Sequence, residues 1–380
     1  MRASYVWALA FAFCWVGGAC DTPGKRCRFG SDHAVFRSEA GLFDDVALVR
    51  TEQGALAIFS DTSGLYIRAL DEYGLPRRRA ERVAERCDAG VAAAVGGKQL
   101  WLACARRATN EGVGSVTVYA DTDTSGALTE RQHFTPVGRE SHGVALALQG
   151  GRARVAWQDA ALGGARLRYA ETGSVLTYVL SDGDWFAATP QLAAQDAQLV
   201  AVWDESQQHG DTYESRIRML DLSGKSRTGT GIDILTAHDA SPGPAIVLDP
   251  RGGSWLAFRD RKKGRRKTGL YLARLFGGKA GEVVRVGRAD GVGRPTLTAC
   301  LSGLVAATPR TFAGDYFVGV VQVDPTLRAF SLEQQFYEDS HEFSQVAASC
   351  LDARLLLLIA ERGRLGGGRA ALRTVSFHCE

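Results

Sequence analysis

Lysine is scarce in this chain, seven residues against 38 arginines, and methionine occurs only twice. Acidic and basic residues nearly balance, 42 against 45, so the net charge of +3 gives no electrostatic footprint for a nucleic acid. There is no C-x-x-C pair, which argues against a thioredoxin-type redox motif or a zinc ribbon. Beyond the first twenty residues no segment of eighteen apolar residues exists, so nothing there reads as a membrane-spanning helix. Glycine follows no collagen period, no heptads run through the chain, and a multi-span membrane protein is excluded. What is present is an ordinary folding composition: 380 residues, 45% apolar, 23% charged and 44 glycines. That length suits two domains or one large all-β domain.

The first twenty residues read as an export signal. Arg2 is followed by the apolar run Tyr5 to Val16, too short to span a bilayer but right for a secretory core. Small residues then lead to a cysteine, Val16-Gly17-Gly18-Ala19-Cys20. This resembles the lipobox of bacterial lipoproteins, which implies cleavage before Cys20 and a lipid on its sulfur. Gly17 stands where that motif usually has Leu, and cleavage near Ala19 by the ordinary signal peptidase is the alternative. The expected organisation is a signal peptide over 1–19, a lipid-anchored tether over 20–31 and one folded domain over 32–380. The expected address is the bacterial cell envelope, at the outer membrane or the periplasmic face, or else soluble secretion. Six cysteines then remain in an oxidising compartment, Cys27, Cys87, Cys104, Cys300, Cys350 and Cys379.

The domain repeats itself. An apolar alternating strand ends in an aromatic residue, one residue and an acid, as in Leu199-Val200-Ala201-Val202-Trp203-Asp204-Glu205. Other copies end Phe59-Ser60-Asp61, Trp157-Gln158-Asp159 and Phe258-Arg259-Asp260, with Ile359-Ala360-Glu361 weaker. Cys104-Ala105-Arg106 and Thr308-Pro309-Arg310 fill the gaps as degenerate copies. Successive third positions lie 45, 53, 46, 55, 50 and 51 residues apart, which makes seven units. Within a unit, strand a (Val144 to Leu148, for example) meets strand b through a glycine pair such as Gly150-Gly151. Strand c follows a polar loop, and an Asp-x-x-Gly turn such as Asp71 to Gly74 leads to strand d. Units of four short strands and about 50 residues predict an all-β, seven-bladed β-propeller of four-stranded antiparallel blades.

The ends of the chain support closure. After Glu361 only one strand, Arg369 to Phe377, is left, so blade seven lacks its outermost strand. Ala34-Val35-Phe36-Arg37 is the expected N-terminal strand that supplies it. The predicted disulfides follow this phase: Cys27–Cys379 across the closure, Cys87–Cys104 bracketing strands a and b of blade two, and Cys300–Cys350 between adjacent inner strands. One segment conflicts with the repeat. Pro76 to Cys87 is rich in Arg, Ala and Glu and has helical propensity, whereas the phase demands strand d of blade one.

The pattern V-W-x-D, polar loop, then R-L-D-x-x-G resembles the repeats of exported bacterial β-propellers of the sialidase-like (BNR) and TolB-like group. The resemblance covers roughly Asp32 to Cys379 and implies the fold. It does not bring a sialidase site, because no Phe-Arg-Ile-Pro segment occurs and the aspartate of Ser60-Asp61-Thr62-Ser63-Gly64 falls one place early for an Asp-box.

No residue is singled out as catalytic, and no metal or cofactor is expected. Seven copies of the aromatic-x-acid motif cannot all be catalytic, so the acid is expected to hold loop N–H groups or a strand c arginine such as Arg68, Arg168, Arg218 or Arg274. Asp121-Thr122-Asp123-Thr124-Ser125-Gly126 resembles a calcium loop, but the distal glutamate is missing and a plain turn is the simpler reading. His142, His238 and His341, beside Glu140, Asp239 and Asp339, sit at unequal offsets and read as loop residues rather than a metal site. The b–c loop of blade five carries Arg261, Lys262, Lys263, Arg265, Arg266 and Lys267, with Arg106, Arg310 and Arg362 in corresponding loops. A basic rim of this kind suits an acidic partner. The expectation is a lipid-anchored, non-enzymatic binding or scaffold protein that engages an envelope protein or an anionic polysaccharide, not nucleic acid. The alternative is an envelope glycoside hydrolase or lyase on the same scaffold, which would need facing carboxylates in a pocket.

Overall fold

In the computed structural model the described residues are 27–39, 42–109, 113–121, 127–136, 140–161, 164–181, 184–209, 212–223, 231–238, 241–249, 253–261, 268–276, 279–286, 291–301, 303–312, 315–323, 334–337, 341–363 and 370–379. They form strands and turns without a helix, in seven antiparallel sheets. Each sheet is one blade of a seven-bladed β-propeller, and the inner strands touch in succession until blade seven meets blade one. No helix among the described residues is long and apolar enough to cross a membrane.

Period-2 alternation builds the ring, because successive side chains of a strand point to opposite faces. In strand b of blade four (Gln198–His209), Leu199, Ala201 and Trp203 pack toward blade three while Val200 and Val202 pack toward blade five. Seven apolar clusters result, one in each gap between blades. The first position of the repeated motif fills these gaps: Phe59, Trp157, Trp203, Phe258 and Ile359 are all buried, as are the degenerate Cys104 and Thr308. Both degenerate copies are therefore true blades. The paired glycines supply the left-handed backbone of the a–b turn, with φ of 59° at Gly150 and 75° at Gly151.

The segment with helical propensity goes with the repeat. Glu81–Ala84 pairs with Gly64–Leu70 as strand d of blade one, because Val83 and Ala84 then pack against the apolar gap to blade two. Tertiary burial here outweighs local preference.

Strand β1 (Cys27–Ser38) is the outermost strand of blade seven and pairs antiparallel with Ala370–Cys379. It begins at Cys27, so the pairing takes in residues 27–31, which the sequence reading assigned to the tether. Cys27 lies opposite Cys379 in register and the two are bonded. The other disulfides are Cys87–Cys104 and Cys300–Cys350, as expected. Three disulfides fit a chain that has left the reducing cytoplasm.

This order of strands gives the ring two unlike sides. The a–b and c–d turns lie on one, the turn face, and the b–c and d–a loops on the other, the loop face. Residues of the inner strands converge on the channel mouth of the loop face.

Candidate functional site at the channel mouth

The inner strands enter the mouth irregularly. Register shifts break blade three between His142 and Val144, blade four between Ala188 and Gln191, and blade seven between Phe343 and Gln345. In blade six the inner strand is in two pieces, Gly291–Val292 and Thr296–Cys300, parted by Gly293-Arg294-Pro295. Pro190 and Pro295 cannot donate to a ladder, so regular pairing stops there. Thr189 adopts a φ of 44°. For a β-branched side chain that conformation is an outlier, costing on the order of 1–3 kcal/mol, and such strain gathers at functional sites. Bulges likewise gather beside sites, where they re-aim side chains.

Two carboxylates and one guanidinium occupy this level. Asp45 opens strand a of blade one and accepts N–H bonds from Val46 at 2.9 Å and Val91 at 2.8 Å. Burial pushes its carboxyl above the ordinary value, against the lowering pull of those N–H groups and of the Arg294 charge. Asp204 lies in the middle of strand b of blade four and is 2% exposed. It accepts hydrogen bonds from the hydroxyls of Thr189 and Ser241. Burial raises its carboxyl to about 6, while Ser241, the charge of Arg294 and the Gly243 N–H hold it from going higher. Arg294 is exposed and acts electrostatically on both acids, from blade six toward blades one and four. The approach is close elsewhere as well: a Cβ at Gly243 would stand 3.5 Å from the Arg294 Cγ, and one at Gly90 would stand 3.5 Å from Asp45 Oδ2 and 3.2 Å from the Val144 nitrogen.

The arrangement serves two ends. Asp45 and Asp204 each pin the entry of a neighbouring blade, which is a structural duty. A carboxyl near pKa 6 also exchanges a proton at neutral pH, as acid–base catalysis requires. The exposed guanidinium of Arg294 presents a planar donor fork suited to a carboxylate or sulfate.

The acids of the repeated motif behave as turn and strand clamps. Asp61 accepts bonds from Ser38 Oγ at 2.7 Å and the Ser63 N–H at 2.8 Å. Asp159 takes Arg168, and Glu205 takes the Trp203 indole at 2.8 Å together with Arg216 and Arg218. Asp260 receives the His238 N–H at 2.6 Å. Arg68 and Arg274 go elsewhere, to the Arg78 carbonyl and to Asp249.

The basic rim is less uniform than its sequence suggested. Arg310 is 2% exposed, and this corrects its place among the rim cations: it is the third position of its repeat and points between blades, as the acids of that position do. Arg106 pairs with Glu85 at 2.7 Å and Arg362 with Glu342 at 2.8 Å, so neighbouring carboxylates offset both. Arg261 ends its strand, and Lys262, Lys263, Arg265, Arg266 and Lys267 lie outside the described residues, as do Cys20, most of the Asp121–Gly126 loop, Asp239 and Asp339. His142 meets Glu140 at 3.0 Å. No group of three or more potential metal ligands occurs among the described residues.

Sequence reasoning did not single out Asp45, Asp204, Thr189 or Arg294. A signal was present: of the residues between aromatic and acid, Ser60, Ala105, Gln158, Asp204, Arg259, Pro309 and Ala360, only blade four has a carboxylate. Proline also recurs ahead of inner strands, in Thr189-Pro190, Pro242-Gly243-Pro244 and Gly293-Arg294-Pro295.

No family model and no curated protein matches the chain. Solved structures do. An ulvan lyase of polysaccharide lyase family PL25, bound to -[GlcA(1-4)Rha3S]-, is similar with a TM-score of 0.60 at 11% identity, over 90% of this chain and 95% of that one. The polysaccharide lyase Uly1 gives 0.55 at 10% identity, over 93% and 99%. An α-L-arabinanase of Penicillium chrysogenum complexed with arabinobiose gives 0.53 at 11%, over 91% and 98%. At these identities the likeness is one of fold.

Proposed function

We propose that this chain is an exported, carbohydrate-active propeller that binds an anionic polysaccharide across the mouth of its loop face and cleaves it there. The observation that carries the reading is the cluster at the mouth: Asp45 and Asp204, both with raised carboxyls, share the field of Arg294 beside the strained entry at Thr189. The fold-level neighbours that act on polysaccharides support the substrate class. Arg294 would hold a uronate carboxylate or a sugar sulfate, and Asp204 would exchange the proton. In an elimination, a base takes the proton beside the uronate carboxylate, the C–O bond to the neighbouring sugar breaks, and an acid protonates the departing oxygen. In a hydrolysis, water instead cleaves the anomeric C–O bond of the same linkage, with two carboxylates as acid and base.

A second reading has its own support. Asp45 and Asp204 are both engaged as clamps, which suits a rigid face that binds a polysaccharide or an envelope protein without cutting it.

Incubation with a panel of uronate-rich, sulfated and neutral polysaccharides decides between them, reading unsaturated ends, new reducing ends and retardation in affinity gels. The expected result is cleavage of an anionic member. Arg294→Ala should lower its apparent affinity about tenfold or more, the scale of a lost charge-assisted pair. Asp204→Asn should lower turnover while retardation persists, and it should remove an inflection near pH 6 from the rate profile. Retardation without product selects the binding reading. Neither retardation nor product with any member sinks cleavage and polysaccharide binding alike.

A further inference from the structure

Exposed apolar side chains are spread unevenly over the two faces. Of the thirteen large ones among the described residues, eight lie on or beside the turn face, including Val175 at 94% and Leu301 at 80% exposure. Tyr73 and Leu75 sit there in the c–d turn of blade one, with Arg77, Arg78 and Arg79 exposed directly after them. Apolar side chains beside cations are the composition of a surface that rests on anionic lipid headgroups. The acids of the turn are spoken for: Asp71 accepts the Tyr73 and Leu75 N–H groups at 2.8 Å, and Glu72 lies 3.9 Å from Arg354, whose guanidinium also covers the Tyr73 ring.

The chain enters the ring at this spot. The c–d turn of blade one packs against blade seven, where Ser31 donates to the Tyr73 carbonyl at 2.9 Å and Thr374 to the Gly74 carbonyl at 2.6 Å. Cys27, the first residue of β1, therefore starts on the turn face, with Arg28 and Phe29 exposed after it. Cys20 precedes Cys27 by seven residues, a reach of at most about 25 Å. The twelve residues of β1 extend about 40 Å from that face toward the other. A lipid on Cys20 can hold only the turn face against a bilayer.

We propose that the turn face is a bilayer-docking surface for anionic phospholipid. Tyr73, Leu75 and Arg77 to Arg79 settle at the headgroups beside the Cys20 anchor, and the channel mouth opens away from the membrane. The proposal rests on lipidation at Cys20 and is independent of what the mouth binds.

The test uses the full-length lipidated chain in vesicles of phosphatidylethanolamine and phosphatidylglycerol with brominated acyl chains. Leu75→Trp adds an emitter on the turn face and Val113→Trp one on the loop face, each read as the difference from the unsubstituted chain. Bromine should quench the added emission of Leu75→Trp and leave that of Val113→Trp unchanged. Adding Arg77→Gln, Arg78→Gln and Arg79→Gln to Leu75→Trp should reduce the quenching, and removing phosphatidylglycerol should do the same. Equal quenching at both sites, quenching at Val113→Trp alone, or failure of the chain to associate with vesicles would overturn the proposal. Quenching insensitive to both the arginines and phosphatidylglycerol would overturn its anionic-lipid part.

Discussion

Cys27→Ser with Cys379→Ser should lower stability more than removal of either other disulfide, and the ring should open at its closing blade. The bond joins residues 352 apart, against 50 for Cys300–Cys350 and 17 for Cys87–Cys104. In the loop-entropy model a cross-link stabilises by restricting the unfolded chain, with a logarithmic dependence on loop length. The expected losses are about 6 kcal/mol for the closure, about 4 for the intermediate loop and about 3 for the short one. Geometry adds to this ranking, because β1 reaches its blade only across the seam: its other contacts, such as Val35 and Phe36 in the gap to blade one, depend on the same docking. Denaturant melts of the three double-serine variants measure the order. Should the closure variant prove the mildest, non-covalent pairing of β1 would be sufficient to hold the seam.

The fold was legible because it is repetitive. Trp157, Trp203 and Phe258 recur at one phase, and each copy strengthens the reading of the degenerate Cys104 and Thr308 copies. The short last unit called for an N-terminal strand, which β1 supplies. The same repetition hid the site. Asp204 stands one residue from the repeated acid and looks like part of the motif, while its neighbours Ser241 and Gly243 come from the next blade and Arg294 from two blades on. Such convergence across 90 residues of sequence has no local pattern. Arg310 misled for a related reason: sequence gives its strand position but not its neighbours, so a buried cation and a rim cation read alike.

The largest pH effect should come from Glu361, at the same seam. It is the third position of the weakest repeat, 3% exposed, and faces the gap to blade six. The equivalent Glu205 is fully engaged by Trp203, Arg216 and Arg218, whereas Glu361 Oε2 has no hydrogen-bond donor among the described residues. Its nearest cation, Arg373, stands 3.7 Å from Oε1 and is committed to Asp32 of β1 by a two-pronged bond. Burial first, and then repulsion from Asp32, raise its carboxyl from 4.5 to about 8. The folded state thus holds a proton on Glu361 that the unfolded chain releases at lower pH. The associated stability is present in full below pH 4.5 and drains as pH climbs to about 8, at about 1.4 kcal/mol per pH unit, a total on the order of a few kcal/mol. Glu361→Gln keeps the neutral shape without the proton. It should change stability little at pH 5 and raise it by a few kcal/mol at pH 9, with Glu205→Gln destabilising at both because it breaks a satisfied pair. Chemical melts of both variants at pH 5, 7 and 9 provide the comparison. A gain for Glu361→Gln that is the same at pH 5 and pH 9 would mean that the carboxyl is ionised in the fold throughout, with Arg373 serving it as well as Asp32.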